Sequence, residues 1–131
     1  MADPTATLTK ISTESMGNHR LVLGTLTLVA STSSYSAGGI PLKVGNSTLT
    51  TTDALRRVLG LNVEIKQIHV QNPLEDANAT QRSGYLAKIN PATAKLILIA
   101  GSGTTETSLD EPAGTALTDG TYVSTFFAIG K

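Results

Sequence analysis

His19 and His69 are the only histidines of this 131-residue chain, and there is no cysteine. Any histidine-ligated metal centre or histidine-dependent triad would therefore have to use one of those two imidazoles, while disulfides, zinc–thiolate sites and thiol nucleophiles are excluded. Neither histidine has an acidic or histidine partner at metal-ligand spacing. His69 sits between Ile68 and Val70, in the polar phase of an alternating run, which reads as a solvent-facing strand position. A Ser-His-Asp arrangement assembles across distance and leaves no local trace, but no serine lies in a Gly-x-Ser-x-Gly elbow. The carboxylate pairs Glu75-Asp76 and Asp110-Glu111 fall in polar, loop-like stretches. Glycosidases set two carboxylates across a sugar ring, usually beside aromatic platforms, and the chain has no tryptophan. Calcium loops need a denser alternation of Asp and Asn than either pair offers. Gly101-Ser102-Gly103-Thr104-Thr105 invites a phosphate-loop reading, yet it lacks the Lys-Ser/Thr of such loops and no helix follows to hold phosphate.

These residues predict a non-enzymatic protein with no cofactor and no metal. Tyr35, Tyr85, Tyr122, Phe126 and Phe127 would suit base stacking on a sheet only with a basic groove beside them. Ten basic residues balance ten acidic ones, and only Arg56-Arg57 are adjacent, so no field for nucleic acid or an anionic membrane is expected. The expected role of Tyr85, Tyr122, Phe126 and Phe127 is core volume or subunit contact. Charged residues make up 15% of the chain, and Thr plus Ser roughly a quarter, above ordinary usage. Threonine suits a pleated sheet whose outer face meets water: its branched Cβ packs and its hydroxyl hydrogen-bonds.

The elements that must position these side chains are strands. His19 to Ala30 alternates Leu26 and Leu28 against Thr25 and Thr27, with Gly24 marking a bulge or bend. Ser31 to Gly39 reads as a small-residue loop, and Ile40 to Val44 as a short strand whose Pro41 belongs at an edge or a start. The one helical signal spans 53–59. Thr52 or Asp53 would cap it, Ala54, Leu55, Val58 and Leu59 share a face, and Gly60 stops it. From Leu61 apolar residues alternate to Ile65, then Lys66 and Gln67 are both polar before Ile68 and Val70 resume. One extra residue there restores the apolar face, which is what a β-bulge does. Residues 84–90 and 95–100 flank an Asn-Pro break and read as a hairpin. Leu74 to Ser83 and Gly101 to Gly120 are expected loops, and Thr121 to Ile129 a closing strand.

About six or seven strands and one short helix predict an all-β fold, an antiparallel β-sandwich or partly closed barrel. One domain over residues 8–131 is expected, preceded by a flexible or extended N-terminal arm of residues 1–7. The first residues lack the basic start and apolar stretch of a secretory signal, and no apolar run approaches a membrane span.

Gly84-Tyr85, the alternating strand to Asn90, Lys95-Leu96 opening the return strand, Asp119-Gly120, and a closing strand ending Phe127-Ala128-Ile129-Gly130-Lys131 form a pattern that resembles small virion proteins of tailed bacteriophages. In these a Gly-Tyr strand, a Lys-Leu return strand and an Ala-x-Gly-Lys/Arg tail recur. The likeness covers residues 84–131, with 52–70 fitting more loosely and Asn90 standing where an acidic residue would be expected. The resemblance implies a capsid decoration, or cement, protein. Such a protein is made in the bacterial cytoplasm, binds the major capsid protein on the outer head as a symmetric trimer or dimer, and stabilises the shell. Ala2, Asp3, Pro4, Thr5, Ala6 and Thr7 would form the capsid-contact arm, adding to a strand edge. The alternative is a carbohydrate- or receptor-binding module of a phage tail or fibre, using the 74–83 and 101–120 loops.

Overall fold

The computed structural model describes residues 3–31, 34–72, 74–76, 86–101, 109–110 and 119–131. In chain order the strands are β1 (Thr5–Met16), β2 (His19–Ala30), β3 (Ile40–Val44) and β4 (Ser47–Thr48), followed by helix α1 (Thr52–Val58). Then come β5 (Ile65–Val70), β6 (Glu75–Asp76), β7 (Leu86–Asn90), β8 (Lys95–Gly101), β9 (Leu109–Asp110) and β10 (Gly120–Gly130).

One sheet runs β5-β10-β2-β1-β3-β8-β7, with β4, β6 and β9 as short additions to β3, β10 and β8. It curls until its two ends meet, giving the all-β, nearly closed barrel that the alternating pattern predicts. All pairs are antiparallel except β1 with β3 (Ala6 opposite Leu42, Thr7 opposite Lys43). That parallel pair departs from the expectation for a simple physical reason. The β1–β2 hairpin returns the chain to the level where β1 began (Thr5 opposite Val29), so β3, starting from that level, runs alongside β1 in the same direction.

Thr5–Met16 was expected to begin as an arm, and instead forms a full strand between β2 and β3. Its inward positions near the start, the small Ala6 and then Leu8, are both buried. Gly17, at φ 64°, makes the tight turn into β2. Inside the barrel lie Leu26, Leu42, Leu96, Leu98, Tyr122 and Phe126, each at most 2% exposed; fully burying an apolar side chain of this kind stabilises by ~1.5–3 kcal/mol. Tyr35 adds to this core from the expected loop, its hydroxyl accepting from the Leu98 amide at 3.2 Å.

Helix α1 is capped one residue earlier than expected. Thr51 is the N-cap, its hydroxyl accepting from the Ala54 amide at 3.1 Å. Thr52 instead donates to the Pro91 carbonyl at 2.7 Å, tying the helix to the β7–β8 turn. At the other end the Gly60 amide donates to Arg57 O and the Leu61 amide to Arg56 O, the paired bonds of a Schellman stop, with Gly60 at φ 79°. Leu55 and Leu59 are buried, with Ala54 and Val58 packed against the same core, as the shared face predicted.

The strand expected to start at Leu61 starts at Ile65. Residues 61–64 are held instead by the last residue: the Val63 and Glu64 amides donate to Lys131 O, and the Lys131 amide to Glu64 O. The predicted bulge is present, since Ile129 pairs with Gln67 and Gly130 with Ile65, leaving Lys66 as the extra residue. Ile68 and Val70 turn inward again as required, and His69 is exposed.

Candidate interaction surface

Because β1, β2 and β10 are long and in direct register, their outward side chains form rows across three strands. Thr5, Val29 and Thr121 make one row, Thr7, Thr27 and Val123 the next, and Thr9, Thr25 and Thr125 a third. Each strand thus presents hydroxyls and methyls, the arrangement a half-buried pleated surface favours. Thr125 also donates to Gln71 Oε1 at 2.7 Å, while the Gln71 amide donates to Thr125 O at 2.9 Å.

The fourth row is apolar. Phe127 lies opposite both Leu23 on β2 and His69 on β5, and both apolar side chains are 39% exposed. The His69 and Phe127 rings lie 5.0 Å apart at 32°, and His69 Nε2 is 3.2 Å from Gln67 Oε1. On β1 the register jumps from Lys10 opposite Gly24 to Ser12 opposite Leu23. Ile11 is therefore a bulge residue, pushed outward to 66% exposure. A cavity of about 590 Å³ opens beside this row, lined by Ile11, Leu23, Phe127, Val70 and the edge of Phe126. Beneath it Gly24 has no room for a side chain, since a Cβ would collide with the Phe126 ring.

Of the expected core or contact aromatics, Tyr122 and Phe126 are core, each 2% exposed. Phe127, one residue on, belongs to the outer row. Tyr85 lies outside the described residues. Within the expected arm, Ala2 lies outside them too, and Asp3 and Pro4 precede β1. These two border a small cleft of about 210 Å³ with Ser34, Ser36, Pro41 and Lys95. Thr5, Ala6 and Thr7 are not an arm: they pair with β2, and Ala6 and Thr7 also with β3. The cause is Ala6, which is fully buried and too small to have announced a core position.

The candidate chemical groups are dispersed. His19 ends the β1–β2 hairpin opposite Met16, Glu75-Asp76 form β6 against β10, and Asp110 is in β9. Glu111 and residues 102–108 of the glycine-rich stretch lie outside the described residues. Among the described residues no group of three or more His, Asp or Glu could hold a metal ion, and no helix is long and apolar enough to cross a membrane. Ile11 and Leu23 are the surface residues that pattern reading passed over. The signal was present: Leu8 to Ile11 breaks a two-residue period, and Leu21-Val22-Leu23 is apolar on both faces of its strand. No family model, curated protein or solved structure matches the chain.

Proposed function

We propose that the protein is a structural virion component, a capsid decoration protein that binds the outer head of a tailed bacteriophage as a symmetric oligomer and stabilises it. The observation that carries this reading is the outward face of β1, β2 and β10, where threonine and valine rows adjoin the exposed Ile11, Leu23 and Phe127. Such a rigid, weakly charged face suits lasting protein–protein association. The identity of the assembly rests on the resemblance of residues 84–131 to phage virion proteins. Residues 86–101 of that stretch include the β7–β8 hairpin, and its end is strand β10, which pairs with both β2 and β5. Ala2, Asp3 and Pro4, ahead of β1, are the proposed capsid contact.

Cosedimentation with expanded capsids lacking the protein tests the reading. A fixed ratio per capsomer and a raised capsid melting temperature are expected, because many repeated sites make modest contacts effective. Protein left in the supernatant at every salt concentration, with capsid melting unchanged, overturns it in favour of the tail or receptor-binding alternative.

A further inference from the structure

We infer that the occupant of the β1–β2–β10 outer face is a second copy of this chain, packed face to face about a two-fold axis. The inference rests on the oligomer in the proposed function and not on the capsid. Three observations on this face carry it.

The first is charge. Among the outward residues of β1, β2 and β10, Glu14 near one end is the only Asp, Glu, Lys or Arg. Two identical faces brought together therefore meet almost no like-charge repulsion, whereas a face meant for water or for a charged partner carries charges of its own. Aligned sheets pack about 10 Å apart with interdigitated side chains. Threonine methyls and hydroxyls can fill and hydrogen-bond across that gap.

The second is area. The three strands are 12, 12 and 11 residues long; at ~3.3 Å per residue and ~4.8 Å between strands their outer face projects roughly 500 Å². Side-chain relief, with Ile11 and Phe127 standing proud, brings this toward the ~800 Å² that each partner contributes to a standard interface.

The third is that the sheet edges are guarded against pairing with another copy. Edge strand β5 carries the Lys66 bulge, edge strand β7 carries exposed Lys88, and the side chain of Asn72 bonds the main chain of Ala87 where the two edges meet. Bulges and lysines on edges discourage strand addition, which leaves the face as the route for association.

Sedimentation velocity on the full chain at about 1 to 100 μM, where micromolar affinities are read, decides the matter. The expected species has twice the 13.6 kDa chain mass. L23E/F127E should halve that mass, and so should T27K, whose side chain lies in the outward row of Thr7 and Val123 and which guards against misfolding of the first variant; Lys88→Glu on β7 should leave it unchanged. Circular dichroism and cooperative melting of each variant establish that it is folded. A wild-type monomer throughout, or folded L23E/F127E and T27K at the wild-type mass, overturns the inference. A monomer that binds capsids and loses binding on T27K also overturns it, by assigning the face to the shell. A dimer that ignores capsids leaves it standing and removes the proposed function instead.

Discussion

The side-chain amide of Asn72 pairs with Ala87 as a neighbouring strand would: Oδ1 accepts from the Ala87 amide at 2.8 Å and Nδ2 donates to the Ala87 carbonyl at 3.0 Å. The same Nδ2 lies 3.2 Å from Val70 O, so a single side chain spans from the end of β5 to β7 and closes the barrel. Ala87 is 3% exposed, and without Asn72 its polar groups would be left without that partner. Asn72→Ala should therefore cost about 1–3 kcal/mol in urea unfolding. Asn72→Asp should cost at least as much, because a carboxylate cannot donate to Ala87 O. A denaturation midpoint unchanged in both variants would show that the seam is held by other contacts.

The Lys66 bulge gives a contrast between two deletions. Lys66 is the unpaired residue, so removing it leaves Gln67 opposite Ile129 and Val70 opposite Phe126, with Ile65 still facing Gly130. Alternation then becomes regular, and the Lys66 deletion should melt close to wild type. Deleting His69 instead brings Ile68 next to Val70 and forces one of them outward, since a one-residue slip exchanges the faces. That variant should lose about 2–5 kcal/mol, the cost of removing a large apolar side chain from a core. Parallel thermal melts compare the two.

The bulge and the helix were legible because both are written in periodicity: two polar residues interrupt alternating apolar ones at Lys66-Gln67, and Leu55 and Leu59 recur at helical spacing beside Gly60. Strand β1 was not legible. Its inward positions begin with Ala6 and its outward ones with Thr5, Thr7 and Thr9, so the contrast between faces is small, and only pairing with β2 and β3 fixes it. The outer row shows the same limit. Ile11, Leu23, Phe127 and His69 come from four strands, and their adjacency exists only in the register. Phe126 and Phe127 differ in role because they differ in strand phase, which two adjacent identical residues cannot declare.

Gly24 and Phe126 face each other in register on β2 and β10. A Cβ at residue 24 would meet the Phe126 ring and, at 2.6 Å, the Thr9 carbonyl oxygen. The ring covers the glycine. Gly24→Ala should destabilise by about 1–3 kcal/mol through overpacking, and Phe126→Ala by about 3–5 kcal/mol through the cavity it leaves. In the double variant the new methyl no longer meets the ring, so the combined loss should fall short of the sum. Strict additivity in a double-mutant cycle would mean that the two residues do not share the contact.

Truncation of the N-terminus separates attachment from folding. Residues up to Pro4 precede β1, whereas Thr5 pairs with Val29 and Ala6 lies between Leu28 and Leu42, fully buried. Removing residues 2–4 takes away no strand pairing, so the unfolding free energy should stay within the narrow range typical of surface changes, about ±0.5 kcal/mol. If those residues anchor the protein, capsid cosedimentation should nevertheless fall. Removing residues 2–7 also deletes the Ala6 core contact and the whole β1–β3 ladder, because its two paired positions are Ala6 and Thr7. Parting β1 from β3 splits the sheet in its middle, and a loss of about 3 kcal/mol or more, out of a total of about 5–15 kcal/mol for a domain, is expected in the melt. Weakened capsid binding by the longer truncation alone, in step with its unfolding, would show that residues 2–4 make no contact and that the attachment belongs to the folded barrel.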